Sequence, residues 1–137
     1  MPLPIKREVE ELPYPHNLLR KLRLALEYYP VSDEFLEAFE YELISADADR
    51  EKKNFCMLMM YYSQACLLAD IGVKYHISRQ AVRVRIQKMI DRLCHPTRIR
   101  RIEELVQEEN LRWERKIEKR RKREEKKKET VCRTETE

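Results

Sequence analysis

The sequence predicts an all-α protein: a helical bundle with a helix-turn-helix and a long charged C-terminal helix or tail. Three observations predict it. Of 137 residues only one is glycine, and the prolines gather near the start. Leu, Glu, Lys and Arg are abundant, with apolar residues recurring every three to four positions. No run alternates apolar and polar long enough to read as a strand.

The elements follow in order. Residues 1–15 carry "MPLP" and "LPYPH" and read as extended chain. A first helix is expected from about His16 to Tyr29, with Leu18, Leu22, Ala25, Leu26 and Tyr29 on one stripe and Pro30 as its stop. Ser32 reads as the cap of a second helix, with Asp33 and Glu34 in its first turn. That helix shows Phe35, Leu36, Phe39, Leu43 and Ile44 as its apolar face and Glu37, Glu40 and Glu42 as its outer one. "SADAD" (residues 45–49) is a turn and cap region. A third helix is expected from about Arg50 to Ser63, with Phe55, Leu58, Met59 and Tyr62 inward.

A short helix follows, carrying Leu67, Leu68, Ile71 and Tyr75, and "YHIS" breaks it. Ser78 then caps a longer helix with Val82, Ile86, Met89, Ile90 and Leu93 as its buried stripe. "CHPTR" ends that helix, and Thr97 reads as the cap of a last one whose apolar residues are Ile99, Ile102, Leu105 and Val106. Beyond Asn110 the chain becomes charged, with i,i+4 pairs such as Glu118–Lys122 and no apolar stripe after Ile117. Residues 113–129 hold 10 Lys/Arg against 5 Glu, which reads first as a solvated charged segment and second as a weak, non-specific attraction for nucleic acid. The division expected is an N-terminal helical extension (1–49), a helix-turn-helix domain (50–109) and a helical or disordered tail (110–137).

The only glycine, Gly72, lies inside the short helix, where glycine costs ~1 kcal/mol against alanine. Two steeply crossing helices joined by a tight turn explain it, because their backbones approach only over a small residue. On that reading Ile71, Gly72, His76, Ile77, Val82 and Ile86 are packing residues. His76 takes the left-handed turn position, Ile77 plugs the core, and Val82 and Ile86 lie opposite Gly72.

The second helix of such a motif lays its N-terminal end in the major groove. Arg79, Gln80, Arg83 and Val84 are the residues placed to read bases, Arg through guanine O6/N7 and Gln through adenine N6/N7. Lys74, Ser78, Arg85 and Lys88 are candidates for phosphate contacts. Charge agrees with this placement. Residues 55–102 hold 9 Lys/Arg against 2 Asp/Glu, whereas residues 1–54 hold 8 against 12. Double-stranded DNA is the expected partner.

Residues 68–98, "LADIGVKYHISRQAVRVRIQKMIDRLCHPTR", resemble the region-four DNA-binding domain of bacterial sigma factors. The "L-x-x-I-G" opening, the "ISR" start of the recognition helix and the closing "L-x-H-P-T-R" keep the family's spacing without a gap. The resemblance implies a promoter-reading domain that also docks on the flap of the RNA polymerase β subunit. It makes Arg79 the base-reading arginine. Gln80 stands where the family usually has glutamate and Val84 where it has glutamine, so a different target sequence is expected. Residues 1–49 lack the aromatic-rich promoter-melting helix, which argues against a complete sigma activity. A second reading starts from "SRQAV", shared with small sigma-four-like proteins encoded beside signal-recognition-particle genes, and makes the chain an accessory protein that does not read promoters.

Other classes find little support. Cys56, Cys66, Cys94 and Cys132 are far apart, without metal-ligand spacing, so no metal or other cofactor is expected. No Gly-rich phosphate loop, nucleophile elbow or metal-spaced carboxylate pair is present, and an enzyme is not expected. The start lacks the apolar core of a signal peptide. The apolar segment 55–73 contains Ser63, Gln64 and Asp70, and a mid-membrane Asp costs about 2.5–3.5 kcal/mol. A cytoplasmic protein with no membrane partner is therefore expected. The oligomeric state is open.

Overall fold

Ser32 shows how locally this fold is specified: its side-chain oxygen accepts the N–H of Phe35 at 3.3 Å, with Asp33 and Glu34 in the turn that follows. The computed structural model describes residues 5–6 and 12–135. Its elements are β1 (Ile5–Lys6), α1 (His16–Lys21), β2 (Tyr28–Tyr29), α2 (Asp33–Ala46), α3 (Lys53–Tyr62), α4 (Leu68–Tyr75), α5 (Arg79–Leu93) and α6 (Pro96–Glu135). The protein is all-α apart from the short antiparallel pair, in which Ile5 faces Tyr29 and Lys6 faces Tyr28. Of the Pro-rich start, residues 1–4 and 7–11 lie outside the described residues, whereas residues 12–15 are described and are not all extended: the chain turns at Tyr14 and Pro15 into α1, the Asn17 N–H bonding Pro13 O at 3.0 Å.

The first helix is shorter than its apolar spacing predicts. Arg23 adopts a left-handed conformation (φ 62°), its N–H bonding Arg20 O and the next N–H, of Leu24, bonding Leu19 O. This 6→1 closure normally uses glycine. The chain then returns through β2, held by the His16 imidazole 3.0 Å from Tyr28 O. Leu22 and Leu26 are buried all the same, by tertiary packing and not by a helical stripe.

Two further boundaries have identifiable causes. Helix α3 begins at Lys53, because Lys52 is left-handed (φ 56°) and Asp47 reaches across to accept the N–H of Phe55 at 2.9 Å. Asp47 also accepts from Asn54 and the Asp49 N–H. Burial opposes its ionisation, but these donors and the Lys52 ammonium outweigh burial and hold its pKa below the usual aspartate value. Helix α6 begins at Pro96, which suits a first helical position. His95, not Thr97, is the residue that closes its first turn, its carbonyl accepting from Ile99 at 2.8 Å. From there α6 runs through residue 110 without a break, so the charged segment continues the helix of the bundle.

Glu42 belongs to the inner face of α2, not the outer one. It is buried and pairs with Arg101 of α6 at 3.2 Å. Ile44, expected inside, is 39% exposed. A second buried carboxylate, Glu109, accepts the Ser32 hydroxyl at 2.5 Å, and Arg112 donates to that hydroxyl at 2.7 Å. The cap of α2 is thereby tied to α6.

One hydrophobic cluster runs through the chain from Leu18 to Val106, with Phe39, Leu43, Met57, Leu58, Ile71, Val82, Leu93 and Ile102 at its centre. Helix α5 packs on α2, α3, α4 and α6, and so presents only one side to solvent. Its buried stripe is Val82, Ile86, Met89, Ile90 and Leu93.

Candidate nucleic-acid interface

The approach of α4 to α5 rests on one residue. A Cβ at Gly72 would lie 2.6 Å from the Ile77 carbonyl oxygen and 3.4 Å from the Ser78 carbonyl carbon. The close neighbours are thus the turn backbone and the start of α5, not the side chains of Val82 and Ile86. The Gly72 carbonyl also accepts the Ile77 N–H at 3.0 Å, and the His76 N–H points to Val73 O. His76 sits at φ 56°, ψ 40°. These two bonds close α4 in the same 6→1 manner as α1, with histidine where glycine is usual. Ile77 is half-buried against the core.

Ser78 then caps α5, accepting the N–H of Ala81 at 3.0 Å. Its hydroxyl proton is not used by that bond, so the side chain retains a donor for an outside acceptor. Arg79, Gln80, Arg83, Val84, Arg85 and Lys88 are all exposed, as is Lys74 on α4, whose ammonium lies 5.7 Å from the Tyr75 ring centre.

The structure divides these candidates between the two flanks of the exposed side of α5. Arg79, Gln80 and Arg83 line a cleft of about 610 Å³ with Lys21, Tyr61, Tyr62, Leu67 and Leu68. Burial pushes the Tyr62 phenol in that cleft up to about 12, so it stays neutral at physiological pH. Arg85 and Lys88 line a smaller cleft of about 290 Å³ on the other flank, with Arg92, Asp49 and Asn54. Val84, 42% exposed, lies on the crest between.

Gln87 belongs to the same exposed side, one turn beyond Arg83, and the motif pattern alone does not mark it. Its amide donates to Asp91 at 3.1 Å. The Asp91 carboxylate marks the far end of the exposed side and opposes an approaching phosphate there. Only the N-terminal half of α5 is free of negative charge.

The cations of this surface are unspent. Among the described residues none of Lys74, Arg79, Arg83, Arg85, Lys88 and Arg92 makes an ion pair, whereas Arg101 and Arg112 are paired with carboxylates. Six positive charges held on or beside one helix without an ion-pair partner among the described residues create a local field that attracts a polyanion. No cluster of three or more His, Cys, Asp or Glu among the described residues is placed to hold a metal ion. No described helix is long and apolar enough to cross a membrane.

The chain matches no family model, no curated protein and no solved structure.

Proposed function

We propose that the chain is a sequence-specific DNA-binding transcription regulator that reads promoter DNA through the major groove with α5. The observation that carries this reading is the exposed N-terminal half of α5. It is capped by Ser78, braced by α4 through Gly72, and carries the unpaired Arg79, Arg83 and Arg85. With side chains a helix is about 10–12 Å across and the major groove about 12 Å wide, so the helix fills it. Gln80, Arg83 and Val84 then face base edges, with Arg79 at the tip. Arg85 and Lys88 on one flank and Lys74 and Ser78 at the turn are left for phosphates. The resemblance to sigma region four extends the proposal to RNA polymerase, through the β flap, and to the cytoplasm.

The test is selection from a randomised duplex pool with the wild type beside Arg79→Ala. A motif that Arg79→Ala relaxes at one or two positions supports the proposal. Sequence-indifferent binding, or none, favours the accessory-protein reading.

A further inference from the structure

We infer that the projecting part of α6 is a second nucleic-acid-binding element, a helical arm that lies along the phosphate backbone and carries no sequence preference. This inference does not rest on base reading by α5.

Helix α6 is 40 residues long, about 60 Å. Its inward stripe of Ile102, Val106, Glu109 and Trp113 ends with the half-buried Ile117, and every residue from 118 to 128 is exposed. Successive residues on a helix are turned by ~100°. Arg115, Lys119, Lys122, Arg123 and Lys126 therefore share one strip roughly 100° wide and about 16 Å long. Glu114, Glu118 and Glu125 fall together to one side of it, and Glu124 continues the inward stripe. Glu108, about two turns before Arg115 on the same side of the helix, bounds the strip at its N-terminal end.

The ion pairs sort in the same way. Arg120 pairs with Glu124 at 3.7 Å and Arg121 with Glu118 at 3.6 Å, and both arginines lie off the strip. Lys116, at its border, stands 4.7 Å from the Trp113 ring centre. On the strip, Arg115, Lys119, Lys122 and Arg123 make no ion pair with any described residue; Lys127 and Lys128, off it, make none either, but they do not form a row.

A straight, one-sided row built on four free cations fits a rod of negative charge, and duplex DNA presents one charge per ~1.7 Å of its axis. A lipid surface fits less well, because a helix lying on a membrane needs an apolar face and every residue from 118 to 128 is charged. A second copy of the chain fits less well still, since no apolar seam continues past Ile117.

The experiment measures affinity of the full chain for a random-sequence duplex of about two helical turns across a salt series. Wild type is compared with a variant combining Arg115→Gln, Lys119→Gln, Lys122→Gln and Arg123→Gln. An off-strip control of the same net charge combines Arg120→Gln, Arg121→Gln, Lys127→Gln and Lys128→Gln. Glutamine matches Lys and Arg in helix propensity, and circular dichroism checks that α6 is retained. Each phosphate contact contributes about 0.9 to the slope of log affinity against log salt, so the strip variant is expected to lower that slope by ~3–4 and the control by less than ~1. An unchanged slope, or an equal fall in the control, overturns the inference. So does tighter binding of the wild type to phosphatidylserine vesicles than to the duplex. The motif selected through α5 is a separate readout, which the strip variant leaves unchanged.

Discussion

Replacing Gly72 by alanine tests the architecture that aims α5. In an unobstructed helix this substitution stabilises by ~1 kcal/mol. Here the new Cβ meets the Ile77 carbonyl oxygen at 2.6 Å. Carbon–oxygen contacts settle near roughly 3.3–3.6 Å, so the turn must retreat by about 0.7–1 Å. That retreat stretches the bond from the Ile77 N–H to Gly72 O, now 3.0 Å, beyond useful length. Overpacking costs about 1–3 kcal/mol and a lost hydrogen bond about 0.5–1.5 kcal/mol. After subtracting the gain in propensity, Gly72→Ala is expected to lose ~1–3 kcal/mol. Urea unfolding followed by circular dichroism reads the change as a lower midpoint at constant slope. A variant as stable as the wild type, or more so, refutes the close approach.

Two further outcomes are expected. His76→Gly relieves a left-handed conformation that costs a side chain about 1 kcal/mol, so it is expected to raise the thermal midpoint by ~2–6 °C, while a β-branched Val at the same place lowers it. Asp47, with its folded pKa below 3.8, contributes stability that is complete above that value and is lost as the pH falls through the lower, folded one. Asp47→Asn is therefore expected to be less stable at neutral pH by ~1–2 kcal/mol, with the difference from wild type shrinking in acid when both are unfolded by urea across a pH series.

Much of the motif was legible because it is local. The cap at Ser78, the left-handed His76 and the α5 stripe from Val82 to Leu93 each depend on residues within a turn or two of one another. What the sequence hid depends on distant partners. Leu22 and Leu26 have helical spacing, yet a left-handed Arg23 ends α1, and nothing in an arginine announces that conformation. Glu42 reads as a surface charge and nothing in the sequence marks Glu109, because Arg101 and Ser32, which make their burial tolerable, lie 59 and 77 positions away in the chain. Asp47 caps a helix that begins after it, across an intervening turn. On the exposed side of α5, residue types were readable but their division between its two flanks was not. That division depends on which side α2, α3 and α4 cover, and on Gln87 and Asp91 completing the exposed side.

The central claim is that Arg79 reads a base in the major groove. It is tested most directly on a duplex carrying the selected motif, in which the guanine assigned to Arg79 is replaced by 7-deazaguanine, removing the N7 acceptor and leaving base pairing intact. The account predicts that wild-type affinity falls by the equivalent of ~1–3 kcal/mol, and that Arg79→Ala binds both duplexes equally. Equal binding of the two duplexes by the wild type would contradict it.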